Sequence, residues 1–151
     1  MTEKFTLVPS ELFSEETARE TLSEVVLLEE GEPLSFLDVP VCLAVRVYAG
    51  QRRPAVYDML MSLCKIRHHN KIMASISDDV LSLVVAQGDR LQFCNCFKAG
   101  DFTTALYYIF MVLKKLQINP EISTLYFTSG NVSQEQLTSL FRYFKSAEIL
   151  Q

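Results

Sequence analysis

Between residues 71 and 117, three runs of alternating apolar residues lead directly into one long apolar helix, and few folds accommodate that order. Ile72, Ala74 and Ile76 alternate with Met73, Ser75 and Ser77, the period of two that sends successive side chains to opposite faces of a strand. Asp78 and Asp79 punctuate the run and Leu81, Leu83 and Val85 resume it, which predicts a hairpin. Gln87, Gly88 and Asp89 make a second turn, because Gly88 takes a positive φ without steric cost, and Leu91, Phe93, Asn95 and Phe97 alternate on the returning strand. That phase places the Asn95 amide among apolar neighbours, where it needs partners such as an exposed backbone edge. Asp101 stands where an N-cap is needed, and Phe102, Ala105, Leu106, Ile109, Leu113 and Leu116 recur at three and four. Tyr107, Phe110 and Met111 fall off that stripe, so this helix is expected to be covered on more than one side.

Asn119 and Pro120 stop the helix, residues 124–128 read as a strand, and Ser133 with Gln136 forms a capping-box pattern for a last helix with Leu137, Leu140, Phe141 and Phe144 facing in. The order β-β-β-α-β-α predicts an α/β protein with a mixed sheet and helices packed on it. Ahead of it lies a strand-helix-strand-helix segment. Phe5 to Val8 is β-prone and ends at Pro9; Ser10 or Ser14 can cap a helix to about Glu24 that buries Leu12, Phe13, Ala18 and Leu22. Residues 34–39 read as a strand that lies at an edge or ends at Pro40, residues 41–48 as another strand running parallel to the first, and Pro54 opens a helix with the stripe Val56, Met59, Leu60 and Leu63. The boundary between the two parts is expected at residue 70, giving domains 1–70 and 71–151.

The net charge of −4 conceals an asymmetry. Residues 1–40 carry ten acidic and two basic side chains, or −8, and the remainder carries eight and twelve, or +4. The basic residues are scattered, which argues against a nucleic-acid groove. The longest apolar run, residues 105–113, ends at Lys114 and is far shorter than the roughly twenty residues of a membrane span. Residues 2–4 are not the start of a secretory signal, and four cysteines without zinc-knuckle spacing suit reduced thiols. Both point to the cytosol.

The segment Phe5 to Phe13 followed by an acidic helix, the pair His68 and His69, the strand Leu91 to Phe97, and Asp101-Phe102 with Tyr107-Tyr108 together resemble a bacterial family of proteins of unknown function assigned the actin-like ATPase fold. That fold is ribonuclease-H-like and is shared distantly with the cell-division protein FtsA and the pilus-assembly protein PilM. The resemblance implies that residues 1–70 are a partial first lobe, as in a member without its front portion, and that residues 71–151 are the second lobe. Members also carry more sequence after the histidine segment, where here Asn70 leads straight into the hairpin. Actin-like ATPases grip phosphates in two glycine-bearing hairpin turns, where backbone N–H groups close on the oxygens. By that standard the first hairpin is absent, the second reads Asp78-Asp79 without glycine, and the adenosine end offers Ser129-Gly130-Asn131 with one glycine. The expectation is a degenerate nucleotide site, no cofactor, and a role in binding a protein partner or another copy of the chain. ATP with magnesium near Asp78, Asp79, Ser129, Gly130 and Asn131 is the alternative, and it needs the missing lobe. A metal-dependent nuclease is a third, weaker reading.

Other tempting groups have plainer explanations. Asp78 and Asp79 could hold a cation, but two aspartates in a tight turn are ordinarily turn residues. Adjacent His68 and His69 point to opposite faces if the chain is extended there, Cys94 and Cys96 supply too few ligands, and Cys42 and Cys64 have no visible activator. Tyr107 and Tyr108 could stack on a base, although aromatics on so apolar a helix are normally core.

Overall fold

The computed structural model describes residues 4–28, 31–38, 45–50, 54–128 and 132–150, and these fall into two compact units, Met1–Cys64 and Lys65–Gln151. The second unit holds a five-stranded mixed sheet. Strands β4 (Asn70–Ser77), β5 (Val80–Gln87) and β6 (Arg90–Lys98) are antiparallel neighbours, followed by helix α3 (Phe102–Lys115), strand β7 (Thr124–Thr128), helix α4 (Gln134–Ser139) and strand β8 (Ser146–Leu150). The spatial order is β6-β5-β4-β7-β8, with β7 parallel to β4 and β8 parallel to β7. The expected hairpins are both present, and a strand closes the unit that the sequence pattern did not announce. Only five residues long and without a clean alternation, β8 was hidden behind the last helix.

Alternation decides which side chains meet. Ile72, Ala74, Leu81, Leu83 and Val85 share one face, and with Leu125 and Phe127 they form the core with Ala105, Ile109 and Leu113 of α3. Gln92 is an extra residue in β6, so Phe93 pairs with Val85 while Leu91 pairs with Ala86 and leaves the expected phase. Asn95 pairs with Leu83 but is exposed, not buried as the phase implied, because β6 is the sheet's edge. Its Oδ1 accepts from the Cys96 N–H at 2.8 Å, capping an edge donor that a second strand could otherwise use.

The helices end for local reasons. The α3 C-terminus is a Schellman motif: the Gln117 N–H donates to the Lys114 carbonyl and the Ile118 N–H to the Leu113 carbonyl, with Ile118 buried beside Leu113 in the core. Gln117 holds φ 59°, the left-handed region where a Cβ is penalised. Gln117→Gly is therefore expected to stabilise the protein by about 0.5–1 kcal/mol, read as a higher urea midpoint at unchanged slope. The Ser133 capping box is formed, with Gln136 N–H donating to Ser133 Oγ at 3.1 Å and Ser133 N–H to Gln136 Oε1 at 2.9 Å. Past Ser139 the chain tightens into a 3-10 turn, Leu140–Arg142, which keeps Leu140 and Phe144 inside and swings Phe141 out to 52% exposure, against expectation.

The first unit has a three-stranded sheet of β1 (Phe5–Pro9), β2 (Ser35–Asp38) and β3 (Val45–Ala49), ordered β1-β3-β2, with helices α1 (Ala18–Ser23) and α2 (Ala55–Leu63). β1 and β3 are antiparallel, not parallel as expected. β2 is also antiparallel to β3, so the crossover through α1 joins β1 to β2, which run the same way on either side of β3. Pro9, lacking an N–H, sits on an edge strand as it must. Neither Ser10 nor Ser14 begins α1, whose N-cap is Thr17. The Tyr48 hydroxyl accepts from the Ser14 N–H at 2.8 Å and donates to the Ser14 carbonyl at 3.0 Å, taking both groups away from helical pairing and leaving Leu12 exposed. On α2 the stripe Val56, Met59, Leu60 and Leu63 is buried throughout.

Candidate functional site

Asp78, Asp79 and Asp101 lie at the carboxyl edge of the second unit's sheet. Ser77 pairs with Val80, so Asp78 and Asp79 alone make the β4–β5 turn, with φ 51° and 61°. Positive φ at both central positions is a type I′ turn, whose twist suits a two-residue hairpin and which aspartate tolerates better than most residues. Both carboxylates are exposed. The Asp79 carbonyl accepts from the Ala99 N–H at 2.8 Å, tying the tip to the segment leading into α3.

Asp101 follows that segment and is the N-cap expected: its Oδ1 accepts from the Thr104 N–H at 2.7 Å. That amide bond, seconded by the Thr104 side chain, holds the Asp101 carboxyl below its ordinary 3.8, with slight burial opposing. The charged form is favoured in the folded state, so its contribution is present above the ordinary value and is lost as pH falls through the lowered one. Asp101→Asn is expected to flatten the acid limb of a urea-midpoint profile below about pH 4 while leaving the fold intact, since asparagine also caps.

On the parallel neighbour, Ala74 stands opposite Phe127, which brings the last residue of β7, Thr128, level with Ser75. The tip at Asp78 thus rises three residues further, roughly 10 Å at strand rise. Ser129, Gly130 and Asn131 lie outside the described residues; β7 leads into them and Ser133 caps the helix beyond. The structure therefore joins Asp78 to Asp79 at the edge from which β7 departs, and Asp101 to the same end. Among the described residues no three His, Cys, Asp or Glu side chains form a set that could hold a metal ion.

The remaining candidates disperse. His68 is exposed and its ring stacks on Tyr126 at 6.2 Å; His69 is also exposed, and its carbonyl accepts from the Gly88 N–H. Cys96 lies 3.3 Å from the Ser82 hydroxyl, and Cys42 lies outside the described residues. Tyr126 is pushed above its ordinary 10.0, by burial first and then by the charge and hydrogen bond of Glu148, its partner across β7 and β8. Tyr108 is half-buried and stacks on Phe97 at 4.5 Å, but Tyr107 is 64% exposed, so the outer side of α3 is less covered than its composition suggested. Asn70, which donates to Ser123 Oγ at 3.0 Å and accepts from Gln87 at 3.1 Å, anchors the opposite end of the sheet. Nothing in the residue pattern marked that network, because its members are far apart in sequence. No helix among the described residues is long and apolar enough to cross a membrane.

A family model described as "Protein of unknown function (DUF3822)" matches residues 55–146, more than half of the chain. No curated protein matches it. Among solved structures, a Bacteroides thetaiotaomicron protein with actin-like ATPase fold and unknown function is similar at 21% identity and a TM-score of 0.74, over 99% of this chain and 65% of that one. The chain spans less than two thirds of that relative, and the likeness shows the fold: the mixed α/β, actin-like architecture expected from the sequence.

Proposed function

Because the chain belongs to DUF3822, a family of proteins of unknown function, its role must be argued from its own residues, and we propose that it is a non-catalytic interaction module whose nucleotide site has decayed. The observation that supports this is the β4–β5 turn. Two residues close it, neither is glycine, and both are aspartates with left-handed backbones. A phosphate cradle needs several backbone N–H groups converging on the anion, and a two-residue I′ turn offers little room for that. Two carboxylates at its tip add repulsion toward a triphosphate. In this reading residues 1–70 belong to the first actin-like lobe, residues 71–151 form the second, and the module works in the cytosol by binding protein.

Calorimetric titration of the full chain with ATP and magnesium tests it, alongside a thermal-shift series. The expected result is no saturable heat and no rise in the unfolding midpoint. Saturable binding with a midpoint that climbs with nucleotide concentration would reject the decayed site.

A further inference from the structure

The outer side of α3 and the turn after α4 share a basic composition with open aromatic side chains among the cations. Residues 102–115 and 136–147 contain no acidic side chain, and they carry Lys114, Lys115, Arg142 and Lys145, all exposed. Set among these cations are aromatics that the fold leaves open. Tyr107 is 64% and Tyr143 48% exposed, and the half-buried Phe110 ring stands 5.3 Å from Tyr143. Tyr107, Phe110 and Lys114 follow at three and four, so they line one side of α3.

The first unit carries the opposite chemistry. Residues 11–28 include five exposed glutamates, Glu11, Glu15, Glu16, Glu20 and Glu24, and one basic residue, Arg19, whose guanidinium is engaged by the Glu32 carbonyl. The same stretch exposes Leu12, Val25 and Leu27. An acidic surface with open aliphatic side chains complements a basic surface with open aromatics, in both sign and apolar content. The side chains named on both surfaces are exposed or half-buried.

We infer that the Tyr107–Tyr143 face of one copy binds the acidic 11–28 stretch of a second copy. This deepens the interaction-module reading and rests on it by naming the partner as the chain itself. The two surfaces differ, so the contact is head-to-tail: each copy offers both faces, and assembly continues until a ring closes or the chain of copies runs on. Attraction between exposed charges is screened by salt, so the association is salt-sensitive.

Sedimentation velocity of the full chain across concentration, at low and at high salt, reads this directly. Mass is expected to rise with protein concentration at low salt and to fall back as salt is added. Lys114→Glu with Arg142→Glu should weaken association at least tenfold, as should Glu16→Lys with Glu20→Lys, each with unchanged circular dichroism. Mixing the two double variants should restore assembly, because reversed face then meets reversed face. Tyr107→Ser should weaken it with less dependence on salt. A monomer at every concentration would overturn the inference, as would double variants that associate like the parent or a mixture that stays apart. Monomers that instead bind a labelled single-stranded oligonucleotide through Tyr107 would also overturn it. The nucleotide titration stands separately: binding of ATP rejects the decayed site whatever the mass, and a monomer without ATP binding leaves the decayed site standing while removing this partner.

Discussion

Phe127→Ala is expected to cost about 3–5 kcal/mol, a large share of the stability of a domain this size. Phe127 is 1% exposed on β7, which lies between β4 and β8, and its ring sits 6.5 Å from that of Phe102 at the start of α3. It therefore touches the sheet's centre and the helix layer together. Truncation removes the apolar area and leaves a cavity that hydrogen-bonded neighbours on both sides cannot collapse to fill. Urea unfolding of the full chain should show a lower midpoint, and Phe127→Leu should recover most of the loss. A change below about 1 kcal/mol in the alanine variant would mean that β7 is not where the core is held.

The second large effect is expected at Tyr48, where two separable interactions meet in the first unit. Its ring packs with Phe13 at 5.5 Å and Phe36 at 5.9 Å, and it is 1% exposed. Its hydroxyl serves both the N–H and the carbonyl of Ser14. Tyr48→Phe keeps the packing and strips the two hydrogen bonds, at about 1–2 kcal/mol, because Ser14 is only half-buried and water can replace part of what is lost. Tyr48→Ala removes the ring as well and should cost about 3–5 kcal/mol. Amide exchange at Val47 and Ala49 should quicken slightly in the first variant and strongly in the second. Equal effects would mean that the hydroxyl carries nothing.

The aspartate turn bears on function through the same local physics. Left-handed φ at Asp78 and Asp79 follows from the two-residue connection between Ser77 and Val80, and that connection follows from the alternation on either side. Aspartate was legible there as a turn former, and Asp101 as a cap, because each role needs only neighbours within three residues. Exposure of Tyr107 was not legible. Its spacing on an apolar helix is compatible with burial, and whether another element covers that side depends on where the chain returns.

The sequence by itself determined the hairpins of residues 70–98, the α3 stripe, the capping box at Ser133, the turn residues and the mixed α/β class, since all of these express periodicity or bonds between near neighbours. Tertiary structure alone decided that β1 runs antiparallel to β3, that Ser146–Leu150 adds a parallel edge strand, that Asn95 faces water, and that a basic aromatic surface stays open beside α3. Those outcomes turn on which distant segments lie side by side, and a strand's pattern of apolar residues fixes its buried face without fixing its neighbour or that neighbour's direction.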